Sequence, residues 1–182
     1  MKIVLLNAAT LPIYHDELAH LLNNANTGGL PGLLSPEDTP AAAETFFHDL
    51  REAIAKNQRL LWIARNEQGL IGTVQLELAS GATPPQCGTV STLVVDTAAR
   101  RKGVAKQLMR ELENTAFSLR RSLLSLDIQA GTPAEAFYKA QGYQCSGKTP
   151  AETAASYSSR HRGRVYFKQL IPDAALSGQR IN

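Results

Sequence analysis

The segment Leu93-Val94-Val95-Asp96-Thr97-Ala98-Ala99-Arg100-Arg101-Lys102-Gly103-Val104-Ala105 joins two kinds of pattern within thirteen residues. It is an apolar run, a short turn, a basic cluster and a glycine, followed by a long amphipathic segment. Beyond the turn, Val104, Leu108, Met109, Leu112, Ala116 and Leu119 recur as one apolar stripe, while Lys106, Arg110, Glu111 and Glu113 lie elsewhere. The spacing predicts a strand over Gly88–Val95 and a helix over Ala99–Leu119. The first turn of a helix leaves backbone N–H groups without intrahelical partners, and the helix dipole adds positive potential there. Gly103 and Ala105 let an anion approach that backbone, and Arg100, Arg101 and Lys102 add charge. The junction therefore reads as a phosphate cradle, although a solvated helix entry has the same composition. No Gly-Lys-Ser/Thr follows, as a P-loop requires, and G-x-G-x-x-G is missing.

Upstream, Leu60-Leu61-Trp62-Ile63-Ala64 is a buried strand, Asn66-Glu67-Gln68-Gly69 a turn, and Leu70 to Leu78 the antiparallel partner. Ile71, Thr73, Gln75 and Glu77 alternate with Gly72, Val74, Leu76 and Leu78, so one face is more apolar and the other is expected to be solvated. Further back, Met1 to Leu6 suits a first strand. Its apolar run stops at Asn7, short of the roughly 7 to 15 residues of a signal-peptide core. A helix is expected over Ile13–Asn23, with Leu18, Leu21 and Leu22 on one face, then a loop from Asn24 to Gly32. A second helix opens with Thr39 as N-cap and Pro40 in its first position, turning Phe46, Phe47, Leu50 and Ile54 to the core.

Downstream, a polar loop spans Ser80 to Gln86 and Leu123–Ile128 is a short apolar strand. Thr132-Pro133-Ala134-Glu135 spells a capping box with proline at N1, so a helix runs through Phe137, Tyr138 and Ala140 to Gly142. Tyr143 onward and Arg164–Leu170 form the last strands, joined by a polar loop from Thr149 to Gly163. The order β-α-α-β-β-β-α-β-α-β-β gives an α/β (α+β) chain with a mixed central sheet and helices on both faces. Residues 1–170 are expected to form one domain, and 171–182 a loose tail.

With 182 residues, 43% of them hydrophobic, the chain is long and apolar enough to bury a full core. A net charge of +3 is too small and dispersed to make nucleic acid the default partner. No stretch approaches the ~20 apolar residues of a membrane span. Cys87 and Cys145 lack metal-site spacing and read as reduced thiols of a cytoplasmic protein. His15, His20, His48 and His161 are scattered, so no metal is expected. The run Arg160-His161-Arg162-Gly163-Arg164 reads as a solvated turn, or as a patch attracting an acidic acceptor or cofactor phosphates.

Leu93 to Ala105 resembles the acetyl-coenzyme A signature of GNAT acetyltransferases: an apolar strand, a turn, then Gln/Arg-x-x-Gly-x-Gly/Ala. Thr97 stands where proline is frequent, and Ala105 replaces the second glycine. Leu126-Asp127, Ala134-Glu135-Ala136-Phe137-Tyr138 and Gly142-Tyr143 resemble the family's next strand and helix, in register over about Leu60 to Leu170. With Gly131 and the ending Tyr166-Phe167-Lys168, they look like the tabtoxin-resistance type, which acetylates an amine of a β-lactam toxin. The N-terminal third matches less well.

The resemblance implies a fold whose central parallel strands, Gly88–Val95 and Leu123–Ile128, splay apart at their C-terminal ends. It implies acetyl-CoA as acyl donor, held by the backbone of Leu93, Val94 and Val95 and by Arg100, Arg101, Lys102, Gly103, Val104, Ala105 and Lys106. It makes Tyr138 the candidate general acid for the leaving thiolate, where a packing aromatic is the plain alternative. Asp127 is a candidate base or ammonium anchor, or a structural cap of the following loop. Gln75 and Glu77 are alternatives in the acceptor cleft. The expected partners are acetyl-CoA and a small-molecule amine, with the chain a monomer or homodimer. Acetylation of a protein N-terminus or lysine, and acyl-CoA binding without turnover, are the rival readings.

Overall fold

The strand Arg59–Asn66 (β2) divides the molecule into two sides. Its side chains alternate, so Leu61 and Ile63 enter one buried cluster while Trp62 and Ala64 enter another. In this computed structural model, residues 1–25, 40–78, 84–146 and 163–170 are described. The remaining strands are β1 (Lys2–Leu6), β3 (Gly69–Glu77), β4 (Cys87–Val95), β5 (Leu123–Gln129), β6 (Gln144–Cys145) and β7 (Gly163–Gln169). They form a sheet in the order β1-β2-β3-β4-β5-β7-β6, antiparallel throughout except for the parallel pair β4–β5.

Helices α1 (His15–Ala25) and α2 (Pro40–Ala55) cover the first side, where Leu18, Phe47, Leu50 and Ile54 pack with Leu61 and Ile63. Helices α3 (Val104–Ser118) and α4 (Pro133–Ala140) belong to the second. There Val104, Leu108, Met109, Leu112 and Ala116 bury the predicted stripe against Val74, Leu76, Leu124 and Leu126. Each large side chain so buried contributes about 1.5–3 kcal/mol. Gly72 permits the close approach, because a Cβ there would lie 3.1 Å from side-chain carbons of both Leu108 and Val104.

The mixed sheet with helices on both faces is as expected, and the element order agrees, but several boundaries and environments differ. Helix α3 begins at Val104, not Ala99. Thr97–Ala99 is a 3₁₀ turn, capped by the Asp96 carboxylate, which accepts from the Ala98 N–H at 2.9 Å. Leu119 is not in the stripe: it caps the C-terminus of α3 and is 47% exposed. Helix α1 starts at His15, behind a 3₁₀ turn over Leu11–Tyr14. The polar side of β3 is not solvated, for Thr73 and Gln75 are buried on the side that α1 and α2 cover. The Thr73 hydroxyl donates to the Trp62 carbonyl at 2.9 Å, and Gln75 Oε1 accepts from Arg59 at 3.3 Å. The Thr39 cap, the long loop from Thr149 through Arg162 and the tail lie outside the described residues.

Candidate active site

Strands β4 and β5 are paired only over Cys87↔Leu123, Gly88↔Leu124 and Thr89↔Ser125. Beyond that point β4 stays with β3 as far as Val95↔Gly72, and β5 stays with β7 as far as Gln129↔Gly163. The two central strands therefore part, as expected. A local cause lies in β4: the register with β3 shifts between Thr73 and Gln75, opposite Thr92, whose φ is 54°. A β-branched residue with positive φ is strained, and a bulge of this kind bends a strand. It turns Leu93, Val94 and Val95 away from the line of β5.

Past the bulge, the chain reverses at Arg100–Gly103. Arg101 and Gly103 both have positive φ, 61° and 79°, so the turn is tight. Gly103 is the N-cap of α3 and has no side chain with which to cap it. The amides of the first turn are left for another acceptor. A Cβ on Gly103 would meet nothing within 4 Å, so the space in front of that backbone is open. Arg100, Arg101 and Lys102 are exposed around it. These residues fit a phosphate-bearing ligand: free donors, an approachable backbone and cations, at the positive end of a helix.

A cavity of ≈ 430 Å³ adjoins this turn, lined by Val95, Ala99, Arg100, Arg101, Gly103, Val104, Ala105, Lys106, Pro133 and Phe137. Of the residues expected to hold the donor, Leu93, Val94 and Lys102 do not line it. Val94 instead packs against Leu21 and Leu22 of α1. Pro133 and Phe137 were not foreseen as lining residues. Their signal was the Thr-Pro helix start, which sets Pro133 and Phe137 four residues apart on one face of α4.

Tyr138, next to Phe137, is buried between the rings of Phe137 and Tyr143, whose centroids are 5.2 and 5.4 Å away. Burial pushes its hydroxyl pKa upward, so it remains protonated at neutral pH. Asp127 is exposed on β5. Its neighbours Leu126 and Ile128 are buried with α3 and α4, so Asp127 faces the other side of the sheet. Gln75 and Glu77 share that side. Arg59 engages both, with its guanidinium 3.7 Å from the Glu77 carboxylate.

Glu135, the last residue of the capping box, ties α4 to the sheet. Its carboxylate accepts from the Tyr166 hydroxyl at 2.7 Å, the Gly131 N–H at 2.7 Å and Lys139 at 3.1 Å. Those bonds, in that order, hold its pKa down at about 2. Among the described residues, no cluster of His, Cys, Asp and Glu is arranged to hold a metal, and no helix is long and apolar enough to cross a membrane.

The acetyltransferase (GNAT) family model matches residues 27–143, well over half of the chain. The chain belongs to that family. Similar solved structures share its fold at low identity. An aminoglycoside 6'-N-acetyltransferase complexed with coenzyme A is 18% identical with a TM-score of 0.67, the match covering 94% of this chain and 98% of that one. A ribosomal-protein-alanine N-acetyltransferase from Brucella melitensis is 18% identical with a TM-score of 0.68, covering 93% and 99%. A GNAT acetyltransferase from Staphylococcus aureus Mu50 is 17% identical with a TM-score of 0.68, covering 93% and 100%. The protein is thus an N-acetyltransferase, and members of the family take the acetyl group from acetyl-CoA.

Proposed function

We propose that this acetyltransferase moves the acetyl group of acetyl-CoA to the primary amine of a small molecule, by direct attack. The observation that carries this reading is the parting of β4 and β5, with Asp127 on one side of the sheet and Tyr138 on the other. The glycine-capped turn Arg100–Gly103 and the first turn of α3, Val104 to Lys106, hold the pyrophosphate. The freed backbone of Leu93 to Val95 pairs with the amide-bearing arm of the donor, as an added strand would. Acetyl-CoA supplies the activated acyl group.

An alkylammonium with a pKa of about 10 has to lose a proton before it attacks. Asp127 holds that ammonium and accepts its proton, directly or through water. Tyr138 donates a hydrogen bond toward the leaving sulfur as negative charge grows there. The two tasks need groups approaching from different directions, and the placement of Asp127 and Tyr138 on different sides of the sheet supports that assignment. A small amine as acceptor is supported by the closer likeness to the tabtoxin-resistance type in the segments around Asp127 and Tyr138.

The test is thiol release from acetyl-CoA by the purified chain with four acceptors: kanamycin, spermidine, tyramine and a hexapeptide beginning with alanine. Acceptor-dependent release with a small amine is the expected result. Faster turnover of the peptide than of every small amine overturns the substrate class. Binding of acetyl-CoA with no release leaves a non-catalytic binding module.

A further inference from the structure

We propose that Tyr143, fastened by Glu113 and Lys168, is the positioning device for Tyr138; this rests on the reading of Tyr138 as general acid. Tyr143 follows α4 directly, beyond Gly142, whose φ is +92°. It is buried, and its hydroxyl donates to Glu113 Oε1 of α3 at 3.0 Å. The other oxygen of Glu113 accepts from Lys168 Nζ of β7 at 2.9 Å. That ammonium also donates to the Gln141 carbonyl at 2.7 Å and lies 5.6 Å from the centre of the Tyr143 ring. One cation thus closes the C-terminus of α4, balances the carboxylate and backs the ring.

Tyr138 is held by this assembly in two ways. Its carbonyl accepts from the Tyr143 N–H at 3.0 Å, and its ring meets that of Tyr143 edge to face, 5.4 Å apart at 77°. Packing alone does not account for the chemistry chosen. A phenylalanine at 143 would fill the same space, and leucine or methionine at 113 and 168 would avoid desolvating charge beside an apolar cluster. The Glu113 and Lys168 side chains are only 19% and 26% exposed. The polar bonds add direction: they fix where the Tyr143 ring stands, and with it the wall that aims the Tyr138 hydroxyl.

The test is a mutant cycle read as kcat and as KM for acetyl-CoA, with whichever of the four acceptors turns over fastest. Tyr143→Phe keeps the ring and removes the bond. It should lower kcat roughly 10- to 100-fold, the scale of a small misplacement of a reacting group, with KM for acetyl-CoA unchanged. In a Tyr138→Phe background the same change should cost less than about 2-fold, since the group it aims is gone. Glu113→Leu, which removes the acceptor of the Tyr143 hydroxyl and leaves both rings in place, should repeat the pattern. An unchanged kcat in Tyr143→Phe, or the same fold loss in both backgrounds, overturns the proposal and leaves a structural bond only. A Tyr138→Phe enzyme with wild-type kcat fails differently: it removes the general-acid reading, and the network's catalytic meaning with it.

Discussion

Asp127 lies two residues past the last β4–β5 pair and faces one side of the sheet, whereas Tyr138 is buried in the cluster on the other side. Asp127 is exposed on the strand itself, whereas Tyr138 comes from a helix behind it and is buried. Water reaches the first and is kept from the second. On the proposed mechanism, the exposed carboxylate can pass its proton on to solvent, and burial keeps the phenol protonated until charge grows on the leaving sulfur.

Asp127→Asn preserves shape while removing the charge and most of the basicity. Acceptor kcat/KM should fall much further than acetyl-CoA affinity. Raising the pH should recover part of the rate, because more of the amine then arrives already deprotonated. Steady-state kinetics across pH 6 to 9 check this, and unaltered acceptor kinetics would remove the carboxylate from the mechanism.

Tyr138→Phe deletes one hydroxyl. If that group serves the leaving sulfur, kcat should drop by ~10² to 10⁴ with little change in acetyl-CoA binding. Single-turnover measurements isolate the chemical step. A near wild-type rate there would reduce Tyr138 to packing.

Gly103→Glu should abolish the rise in melting temperature that acetyl-CoA produces by mass action, since a carboxylate would stand in front of the α3 amides. Any side chain at φ +79° is strained. Gly103→Ala therefore serves as the control, losing about 1–2 kcal/mol of stability while still responding to acetyl-CoA. An unchanged response in a folded Gly103→Glu variant would overturn the cradle.

Glu135 gives a stability prediction with a definite sign. Its pKa is about 2 in the folded chain, against about 4.3 for an unfolded glutamate. The stabilisation is fully present above the unfolded value and is lost as pH falls through the folded one. Glu135→Gln should flatten the pH dependence of the melting temperature between about 4.5 and 2 and lower the melting temperature at neutral pH. Parallel curves for the two proteins in that window would contradict the assignment.

The order of elements was legible because each period is carried by enough residues to survive a local exception. The Val104-to-Ala116 stripe is one example, and the Thr132–Glu135 capping box another. The start of α3 was not, because alanines at 98 and 99 are as helical by propensity as any residue. The obstacle is positive φ at Arg101 and Gly103, and only the glycine advertises it. The burial of Gln75 escaped notice for a different reason: alternation tells which residues share a face, not what covers that face. The placement of the candidate site was half legible. The basic turn and Tyr138 are local motifs, but the sides of the sheet on which Asp127 and Tyr138 stand depend on which strands α4 and α1 pack against. The strain at Thr92 left no trace in the sequence, since threonine is an ordinary strand residue.

The alternation in β2 also bears on how such a chain can change over generations. Leu61 and Ile63 answer to α1 and α2, and Trp62 and Ala64 to the opposite cluster that includes α3 and α4. A substitution on one side is felt through the strand backbone but rarely across it. The side that meets α1 and α2 can therefore vary with less consequence for α3 and α4, with Val94 the point at which α1 still bears on the strand that leads into the glycine turn. Among the described residues, a graft of residues 1–58 from another member of the fold would have to satisfy Leu61 and Ile63, the outer edge of β2, the contacts of α1 with Leu70 and Val94, and the packing of β1 against α3. Because Asp127 stands on the side that α1 and α2 cover, the proposed mechanism expects such a hybrid to keep its donor while the surroundings of its acceptor change.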